Sequence, residues 1–192
     1  NLNFQYSKEE EEELERCMND VIYFANKYAF AMTDDGVIKI ILRDYQRAIL
    51  KEFVNNRYSI YLSARQSGKT IMAAIYMIWY ICFQTDRNAM VVANKEKTVI
   101  EIMDKIKVVY QYLPFFIKPG LLENNKLNMK HDNGCRVQGQ STSETPALGF
   151  TVHLLYCDEF AHISPGIVEP FYRSIYPTLS SSQISQMIIT ST

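Results

Sequence analysis

The chain has four cysteines and three histidines, but it contains no CxxC pair. Their spacing fits neither a zinc site nor the disulfide framework of a small secreted protein, so we expect reduced structural thiols. A basic excess is also lacking, because the net charge is -1 and the sequence pI is about 6.4. A nucleic-acid partner would therefore have to be bound by a local basic surface or by another domain.

Long apolar runs are absent as well. The most apolar stretch, Ile71–Phe83, is too short to cross a bilayer, which takes roughly 20 apolar residues. The N-terminus is polar and then acidic, which is not typical of a secretory signal. These absences predict an intracellular soluble protein. A chain of 192 residues with 47% hydrophobic residues is sufficient for one packed domain.

Predicted strands and helices alternate along the chain. Short apolar runs predict strands at Val37–Leu42, Tyr58–Leu62, Ala89–Asn94, Val152–Cys157 and Gln186–Thr192. Helical periodicity predicts helices at Leu14–Tyr28, Asp44–Val54, Thr70–Phe83 and Thr98–Leu113. Asn133-Gly134 predicts a hairpin within Lys126–Gln140. This alternation predicts an α/β fold with a mostly parallel sheet flanked by helices.

The N-terminal part carries the signals of a helical segment. Ser7 and Glu10 have the spacing of a capping box, and the acidic run that follows suits a solvated helix face. A turn is predicted at Asp34–Gly36. We therefore predict a helical segment at residues 1–36, packed on a domain at residues 37–192. Because the chain stops directly after a predicted central strand, we expect it to be part of a longer protein.

The segment SARQSGKT, residues 63–70, predicts a phosphate-binding loop between a strand and a helix. Its end matches the pattern G-x-x-x-x-G-K-[ST], but Ser63 stands where the pattern has its first glycine. Serine can replace glycine where the backbone angles are ordinary. Lys69 can reach the β- and γ-phosphates, and Thr70 can place its hydroxyl on Mg²⁺. The predicted nucleotide-binding residues of the loop are Ser63, Ala64, Arg65, Gln66, Ser67, Gly68, Lys69 and Thr70.

Arg65 brings a fixed positive charge into this loop. It could stabilise charge on the γ-phosphoryl group in the transition state, as an arginine finger does. Alternatively, it is a surface arginine that pairs with a neighbouring acid. The sequence leaves both interpretations open.

Asp158 and Glu159 follow the predicted buried strand at Val152–Cys157. An apolar strand that ends in an acid is the Walker B arrangement, in which Asp158 would hold Mg²⁺. Glu159 could orient and deprotonate the attacking water, which favours a hydrolase over a small-molecule kinase. The alternative is that the two acids cap the next helix.

Two further segments could contact a nucleotide. Gln46 offers an amide donor and an acceptor that match the edge of adenine, and Tyr45 could stack on the base. The alternative is that both residues pack in the core. Thr190, Ser191 and Thr192 end the last predicted strand with hydroxyl groups. These hydroxyls could sense a γ-phosphate, or they could belong to an ordinary strand end.

The ordered set LRDYQ, SARQSGKT, YCDEFAHI and IITST resembles the ATPase domain of the large terminase subunit of tailed bacteriophages, most closely the myophage type. The similarity also includes DVIYFANKYA, GVIKI, LPFFIKPG and DNG, and it extends over nearly the whole chain from about Glu13. Each segment alone is unspecific, whereas the ordered combination is specific.

The resemblance implies a P-loop fold of the additional-strand, catalytic-glutamate type. It implies hydrolysis of ATP with Mg²⁺, coupled to movement of double-stranded DNA into a procapsid. The residues that it assigns are Tyr45 and Gln46 at adenine, Arg65 in catalysis, and Thr190, Ser191 and Thr192 in coupling. The implied partners are double-stranded DNA, the portal protein, the small terminase subunit and further copies in a ring. The implied location is the portal vertex of the procapsid in the host cytoplasm, without a membrane.

The chain departs from the family pattern at one position. Family members usually have an arginine before the glycine that precedes the Walker B strand, and it has been assigned to a neighbouring subunit's site. Here Leu148 precedes Gly149, so the sequence does not support a finger that acts between subunits from this position. Arg136 and Arg173 are candidates for that role, and the sequence assigns neither. The family's nuclease carboxylates would lie beyond Thr192, so we do not expect this chain to cut DNA.

Two other functions fit part of the pattern. A superfamily 2 helicase or restriction-type translocase shares the glutamine, the loop and the acidic pair, but its loop is typically glycine-rich without an equivalent of Arg65. A nucleotide-binding module with a decayed loop would explain Ser63. The residues that argue against decay are Lys69, Thr70, Asp158 and Glu159.

Overall fold

The structure is a computed structural model that describes residues 5–33, 36–142, 151–180 and 184–192. The helices are α1 (Lys8–Asn19), α2 (Val21–Tyr28), α3 (Asp44–Asn55), α4 (Lys69–Phe83), α5 (Glu96–Gln111) and α6 (Pro165–Ser180). The strands are β1 (Phe30–Thr33), β2 (Gly36–Lys39), β3 (Tyr58–Leu62), β4 (Asn88–Ala93), β5 (Leu121–Asn124), β6 (Asn128–His131), β7 (Arg136–Ser141), β8 (Leu154–Cys157) and β9 (Gln186–Ser191). Within these ranges, no helix is both long enough and apolar enough to span a bilayer.

Seven strands form one sheet in the order β3-β9-β8-β4-β7-β6-β5. Strands β3, β9, β8, β4 and β7 run parallel, whereas β6 and β5 are antiparallel to their neighbours. This confirms the predicted α/β fold with its mostly parallel sheet. Strand β9 lies between β3 and β8, which is the additional-strand arrangement that the resemblance implied. The carboxyl ends of these three strands meet at one edge, the usual place for a ligand in an open α/β sheet.

Different helices cover the two faces of the sheet. Side chains along a strand alternate between these faces, so neighbouring residues of one strand pack against different helices. On one face, Val91 and Tyr156 share a core with residues of α3, α4 and α5. On the other face, Met90 and Leu155 pack against α6. Helix α4 is buried along most of its length, and Ile75 at its centre has no exposed surface. Full burial of such a side chain stabilises the folded state by about 1.5–3 kcal/mol. The many buried side chains of α4 therefore fix the helix against the sheet.

Most of the predicted elements are confirmed with boundaries shifted by a few residues. Strand β3 has the predicted bounds, and β6 and β7 form the hairpin around Gly134, whose φ of 79° suits glycine. The strand predicted at Val37–Leu42 is wrong in extent. Strand β2 ends at Lys39 and pairs with β1 in a separate two-stranded sheet. The two aspartates of the predicted turn, Asp34 and Asp35, lie outside the described residues.

The N-terminal segment forms two helices, so the prediction of one helix across Leu14–Tyr28 is wrong. The break is at Asp20, whose Oδ1 accepts hydrogen bonds from the backbone N–H groups of Ile22 and Tyr23 at 2.8 and 3.0 Å. This side chain caps α2 and satisfies donors that a continuous helix would have bonded internally. The capping box of Ser7 and Glu10 at the start of α1 is confirmed.

The two N-terminal helices pack into the same core as α4. Cys17 of α1 and Phe24 of α2 are fully buried, and the Trp79 indole of α4 donates a hydrogen bond to the Cys17 carbonyl at 2.8 Å. The N-terminal segment and the rest of the chain therefore share one continuous hydrophobic core. The division of the chain at residue 36 stays a prediction.

Glu13 joins α1 to α2. Its carboxylate accepts hydrogen bonds from the hydroxyls of Tyr23 at 3.0 Å and Tyr28 at 2.8 Å, and it pairs with Lys27 at 2.8 Å. Burial opposes ionisation of Glu13, but the bonds from Lys27 and the two tyrosines outweigh it and lower its pKa from 4.5 to about 2. The ionised carboxylate therefore favours the folded state.

Replacement of Glu13 with glutamine is expected to lower the free energy of unfolding by about 1.5–3 kcal/mol, the range for hydrogen bonds to charged groups. Because the pKa is lower in the folded state, this stabilisation is complete above about pH 4.5 and is lost as the pH falls towards about 2. Urea unfolding at several pH values across this window measures the effect. Glu12→Gln is the matched control, because Glu12 is an exposed carboxylate that pairs with Lys8 at 3.8 Å. An identical loss of stability with acid in Glu13→Gln and the wild type would contradict the assignment.

Candidate nucleotide-binding site

The segment SARQSGKT connects the end of β3 to the start of α4, as predicted. Gly68 caps α4 with a φ of 83°, a left-handed conformation that L side chains rarely adopt. A Cβ at this position would also lie 2.8 Å from the Gln46 side-chain nitrogen. The glycine is therefore required by the backbone conformation, whereas the flexible Gln46 side chain would only have to shift. The N–H groups at the start of α4 form the positive end of the helix dipole, which suits an anion.

Ser63 does not have a positive φ, so its backbone conformation is one that residues other than glycine adopt readily. Its N–H donates to the Ser191 carbonyl at 3.1 Å, and its hydroxyl lies 2.8 Å from that of Ser67. The backbone thus meets the condition under which serine can replace glycine, and a role of Ser63 in nucleotide binding stays a prediction. This contact between the two hydroxyl groups links the first residue of the loop to Ser67 and restrains the loop.

Tyr45 and Gln46 both contact the loop backbone. The Tyr45 hydroxyl and the Gln46 amide donate to the Ser67 carbonyl at 3.0 and 3.4 Å. The Gln46 oxygen accepts from the Arg43 N–H at 3.1 Å. An amide has two N–H donors and two lone pairs, so one of each remains for another partner. The adenine contact therefore stays a prediction, while the observed contacts show that these side chains support the loop.

Lys69 and Glu159 meet at the centre of the site. The Lys69 Nζ lies 2.8 Å from Glu159 Oε1, and the Lys69 side chain is only 7% exposed. A buried ammonium without an anion nearby would be strongly destabilising, and Glu159 supplies that anion. A phosphate that enters the loop would offer Lys69 a second anionic partner. The phosphate-binding loop and the acidic pair, which are the two parts of the predicted site, are therefore in direct contact.

Glu159 is also held by the end of β9. Its Oε2 accepts hydrogen bonds from the Thr192 N–H at 3.0 Å and the Thr192 hydroxyl at 2.9 Å, and His162 lies 3.4 Å away. Burial opposes ionisation, but the bonds from Lys69 and Thr192 outweigh it and lower the pKa of Glu159. The residue has a φ of 48°, a strained conformation for a side chain of this size. A general base needs such an ionised carboxylate.

Asp158 is buried and bonded to two hydroxyl groups. Its Oδ1 accepts from the Tyr156 hydroxyl at 2.7 Å and from the Thr190 hydroxyl at 2.8 Å. Thr190 is itself fully buried, so it contacts the site through Asp158. Ser191 is buried as well, and its hydroxyl accepts from the Ala161 N–H at 3.2 Å. Direct contact of Thr190, Ser191 and Thr192 with a nucleotide stays a prediction.

Ala64, Arg65 and Gln66 are exposed at the outer part of the loop. The described residues give Arg65 no acid within ion-pair distance, so the interpretation of a paired surface arginine gains no support. Its catalytic role stays a prediction. Arg173 of α6 pairs with Glu169 at 2.6 Å on an exposed helix face. Leu148 and Gly149 lie outside the described residues.

The donor set suits a magnesium ion that shares its coordination with phosphate. Among the described residues, no three His, Cys, Asp or Glu side chains cluster as ligands. Thr70 follows Lys69 in the first turn of α4, and Asp158 follows β8 at the same sheet edge. Mg²⁺ in nucleotide sites is typically held by one or two protein oxygens, substrate phosphates and water. Thr70 and Asp158 would supply those protein oxygens.

Sequence reasoning missed Tyr156 and His162. Tyr156 could have been found from strand periodicity, because it precedes Asp158 by two residues and therefore shares its face of the strand. His162 lies one short turn after Glu159, and its ring nitrogen is 3.1 Å from the Thr192 hydroxyl. Its proximity depends on the position of β9, which sequence spacing does not reveal.

Comparisons with solved structures support the fold. The large terminase of bacteriophage HK97 has a TM-score of 0.73 and 15% identity over 91% of this chain and 37% of that chain. The large terminase ATPase domain of Thermus phage P74-26 has a TM-score of 0.57 and 18% identity, over 75% and 63%. The large terminase of another thermophilic bacteriophage, in complex with ATP-gamma-S, has a TM-score of 0.58 and 12% identity, over 79% and 38%. The chain thus spans less than two thirds of each of these proteins.

The family comparison goes further than the fold. The family model described as "Terminase large subunit, T4likevirus-type, N-terminal" matches residues 60–192. This range includes the phosphate-binding loop, the acidic pair and the hydroxyl-rich end of β9. The chain therefore belongs to the family of N-terminal regions of terminase large subunits of the T4likevirus type.

Proposed function

We propose that this chain is the ATP-hydrolysing unit of a motor that moves double-stranded viral DNA into a procapsid. The observation that carries the proposal is the 2.8 Å contact between Lys69 at the start of α4 and Glu159 beyond β8. It places a phosphate-binding cation next to a carboxylate that can act as a base, beside the buried Asp158. The family supports a DNA-packaging role for an ATPase built in this way.

Each residue of the site has a separate task in the proposed reaction. Lys69 and the N–H groups of the loop bind the β- and γ-phosphates. Thr70 and Asp158 would hold Mg²⁺, which would supply positive charge next to the phosphates. Arg65 extends from the exposed outer part of the loop and stabilises the γ-phosphoryl group in the transition state.

Glu159 orients the attacking water and accepts its proton. In the structure both carboxylate oxygens have partners, since Lys69 binds Oε1 and Thr192 binds Oε2. A phosphate that attracts Lys69 would free Oε1 for a water molecule. The contact with Thr192 would then transmit the state of the carboxylate to the end of β9. Binding of the triphosphate is thus linked to activation of the base.

The two alternative functions are less well supported. A superfamily 2 helicase or restriction-type translocase shares the motor chemistry, but the family match is to terminases. A decayed nucleotide-binding module is disfavoured because Lys69, Asp158 and Glu159 are brought together at one sheet edge. A small-molecule kinase, which the sequence already disfavoured, would have no use for an activated water.

The remaining partners follow from the proposed role. We assign to this protein double-stranded DNA, the portal protein, the small terminase subunit and further copies of the chain in a ring. The ring would act at the portal vertex in the host cytoplasm.

A packaging assay with purified procapsids and linear DNA tests the role, with DNA protected from DNase as the readout. Protection is expected with ATP and not with ATP-gamma-S. ATP hydrolysis without any protected DNA would contradict the motor function.

Replacement of Arg65 with alanine is expected to slow hydrolysis by about 10³-fold or more, in the range for arginine fingers, while ATP binding weakens much less. The reason is that the charge on the γ-phosphoryl group is greatest in the transition state. Single-turnover hydrolysis and equilibrium binding of ATP-gamma-S separate the two effects. Arg16→Ala, on the exposed face of α1, is the control. Equal losses in binding and hydrolysis would indicate simple phosphate attraction instead.

A further inference from the structure

The phenol of Tyr156 is polar but lies in the most buried part of the sheet. Tyr156 belongs to β8, an inner strand of the seven-stranded sheet, and has no exposed surface. Its hydroxyl lies 2.7 Å from Asp158 Oδ1 and 2.9 Å from the Thr190 hydroxyl. Phenylalanine would fill the same space without the cost of burying a hydroxyl group. The hydroxyl therefore requires an explanation other than packing.

The protons of this cluster can be assigned from its chemistry. A carboxylate only accepts hydrogen bonds, and each hydroxyl group has a single proton. Tyr156 and Thr190 therefore both donate to Asp158 Oδ1, at 2.7 and 2.8 Å.

Two donors on Oδ1 fix the plane of the Asp158 carboxylate. With both protons directed at Oδ1, the second carboxylate oxygen, Oδ2, keeps its lone pairs available to a cation.

We propose that Tyr156 is a positioning residue that orients the Asp158 carboxylate for Mg²⁺. This inference rests on the proposed function, because it assumes that Asp158 binds the ion. The same cluster includes Thr190, so the orientation of this magnesium ligand is linked to β9. Loss of the phenol hydroxyl would leave the carboxylate with Thr190 as its remaining hydroxyl donor and freer to rotate, while the loop and Lys69 stay in place.

The experiment is Tyr156→Phe, with Tyr76→Phe as the matched control. Tyr76 is also buried, and its hydroxyl donates to Gln186 at 2.6 Å at the opposite end of β9 from the site. Binding of mant-ATP is measured by fluorescence in EDTA and then at increasing Mg²⁺. We expect unchanged affinity in EDTA, and about a tenfold rise in the Mg²⁺ concentration for half-maximal tight binding, in Tyr156→Phe only.

Each other outcome contradicts the inference. An unchanged Mg²⁺ requirement in Tyr156→Phe, or an equal loss of affinity in EDTA, would show that Tyr156 has only a packing role. If Tyr156→Phe does not fold, Thr190→Val removes the second donor to Asp158, and it is expected to raise the Mg²⁺ requirement in the same direction. No change in that variant would overturn the inference. Absence of mant-ATP binding by the wild type would overturn the proposed function as well.

Discussion

Replacement of Glu159 with glutamine is expected to slow ATP hydrolysis by about 10²–10⁴-fold, the usual contribution of a general base. Binding of ATP should persist and can become tighter. Lys69 now pairs with the Glu159 carboxylate at 2.8 Å, and this pair competes with a phosphate for the lysine. A neutral amide at residue 159 competes less. Calorimetric titration with ATP-gamma-S and single-turnover hydrolysis measure the two effects separately.

Glu169→Gln is the matched control for this variant. Glu169 also pairs with a cation, Arg173, at 2.6 Å, but both side chains are exposed on α6. An exposed pair contributes little, so this control should bind and hydrolyse ATP as the wild type does. Normal hydrolysis by Glu159→Gln would remove Glu159 from the mechanism. Equal loss of binding and hydrolysis would indicate a structural role for the carboxylate.

Replacement of Lys69 with alanine is expected to weaken ATP binding by about 10- to 100-fold, the range for hydrogen bonds to charged groups. Hydrolysis should fall further, because Lys69 also faces the charge that develops on the γ-phosphate. The substitution also removes one of the bonds that hold the pKa of Glu159 low, while those from Thr192 remain. Fluorescence titration with mant-ATP measures the change in binding directly.

Lys107→Ala is the control, because Lys107 of α5 also pairs with an acid, Asp104, at 3.6 Å. It should leave nucleotide binding unchanged. A Lys69→Ala variant that binds ATP with the affinity of the wild type would show that the loop does not hold the phosphates. In that case the contact between Lys69 and Glu159 would be purely structural.

The site was predictable from the sequence where function depends on local chemistry. Gly68 needs its positive φ, and Lys69 and Thr70 must follow it at the start of α4, so their spacing fixes their geometry. The strand before the loop is a short apolar run at the edge of the sheet, and the helix after it is an apolar run that is buried along most of its length. These elements had the predicted bounds to within one residue.

The rest of the site depends on the order of strands in the sheet. Strand β9, which comes last in the chain, lies between β3 and β8, and it thereby brings Thr190 to Asp158 and Thr192 to Glu159. No spacing in the sequence encodes these contacts. The resemblance to terminases implied the additional strand but not the hydrogen bonds. The network around Tyr156 was therefore found only in the structure.

The errors at the N-terminus have a local cause. Helical periodicity continues across Asp20, so the pattern predicted one helix. The Asp20 side chain instead bonds the N–H groups of Ile22 and Tyr23 and starts a second helix. Likewise, β2 is apolar enough to suggest a strand of the main sheet, but it pairs with β1 alone. Both the cap of α2 and the pairing of β2 with β1 join residues that are close in the sequence, and apolar periodicity alone does not reveal them.

The central claim is that a triphosphate binds between Lys69 and the pair Asp158–Glu159. A crystal structure of the protein with Mg²⁺ and ATP-gamma-S tests it most directly. We expect the Lys69 Nζ to leave Glu159, from which it is now 2.8 Å away, and to contact the terminal phosphates, with Mg²⁺ between Thr70 and Asp158. A nucleotide bound elsewhere, with the Lys69–Glu159 pair intact, would contradict the account.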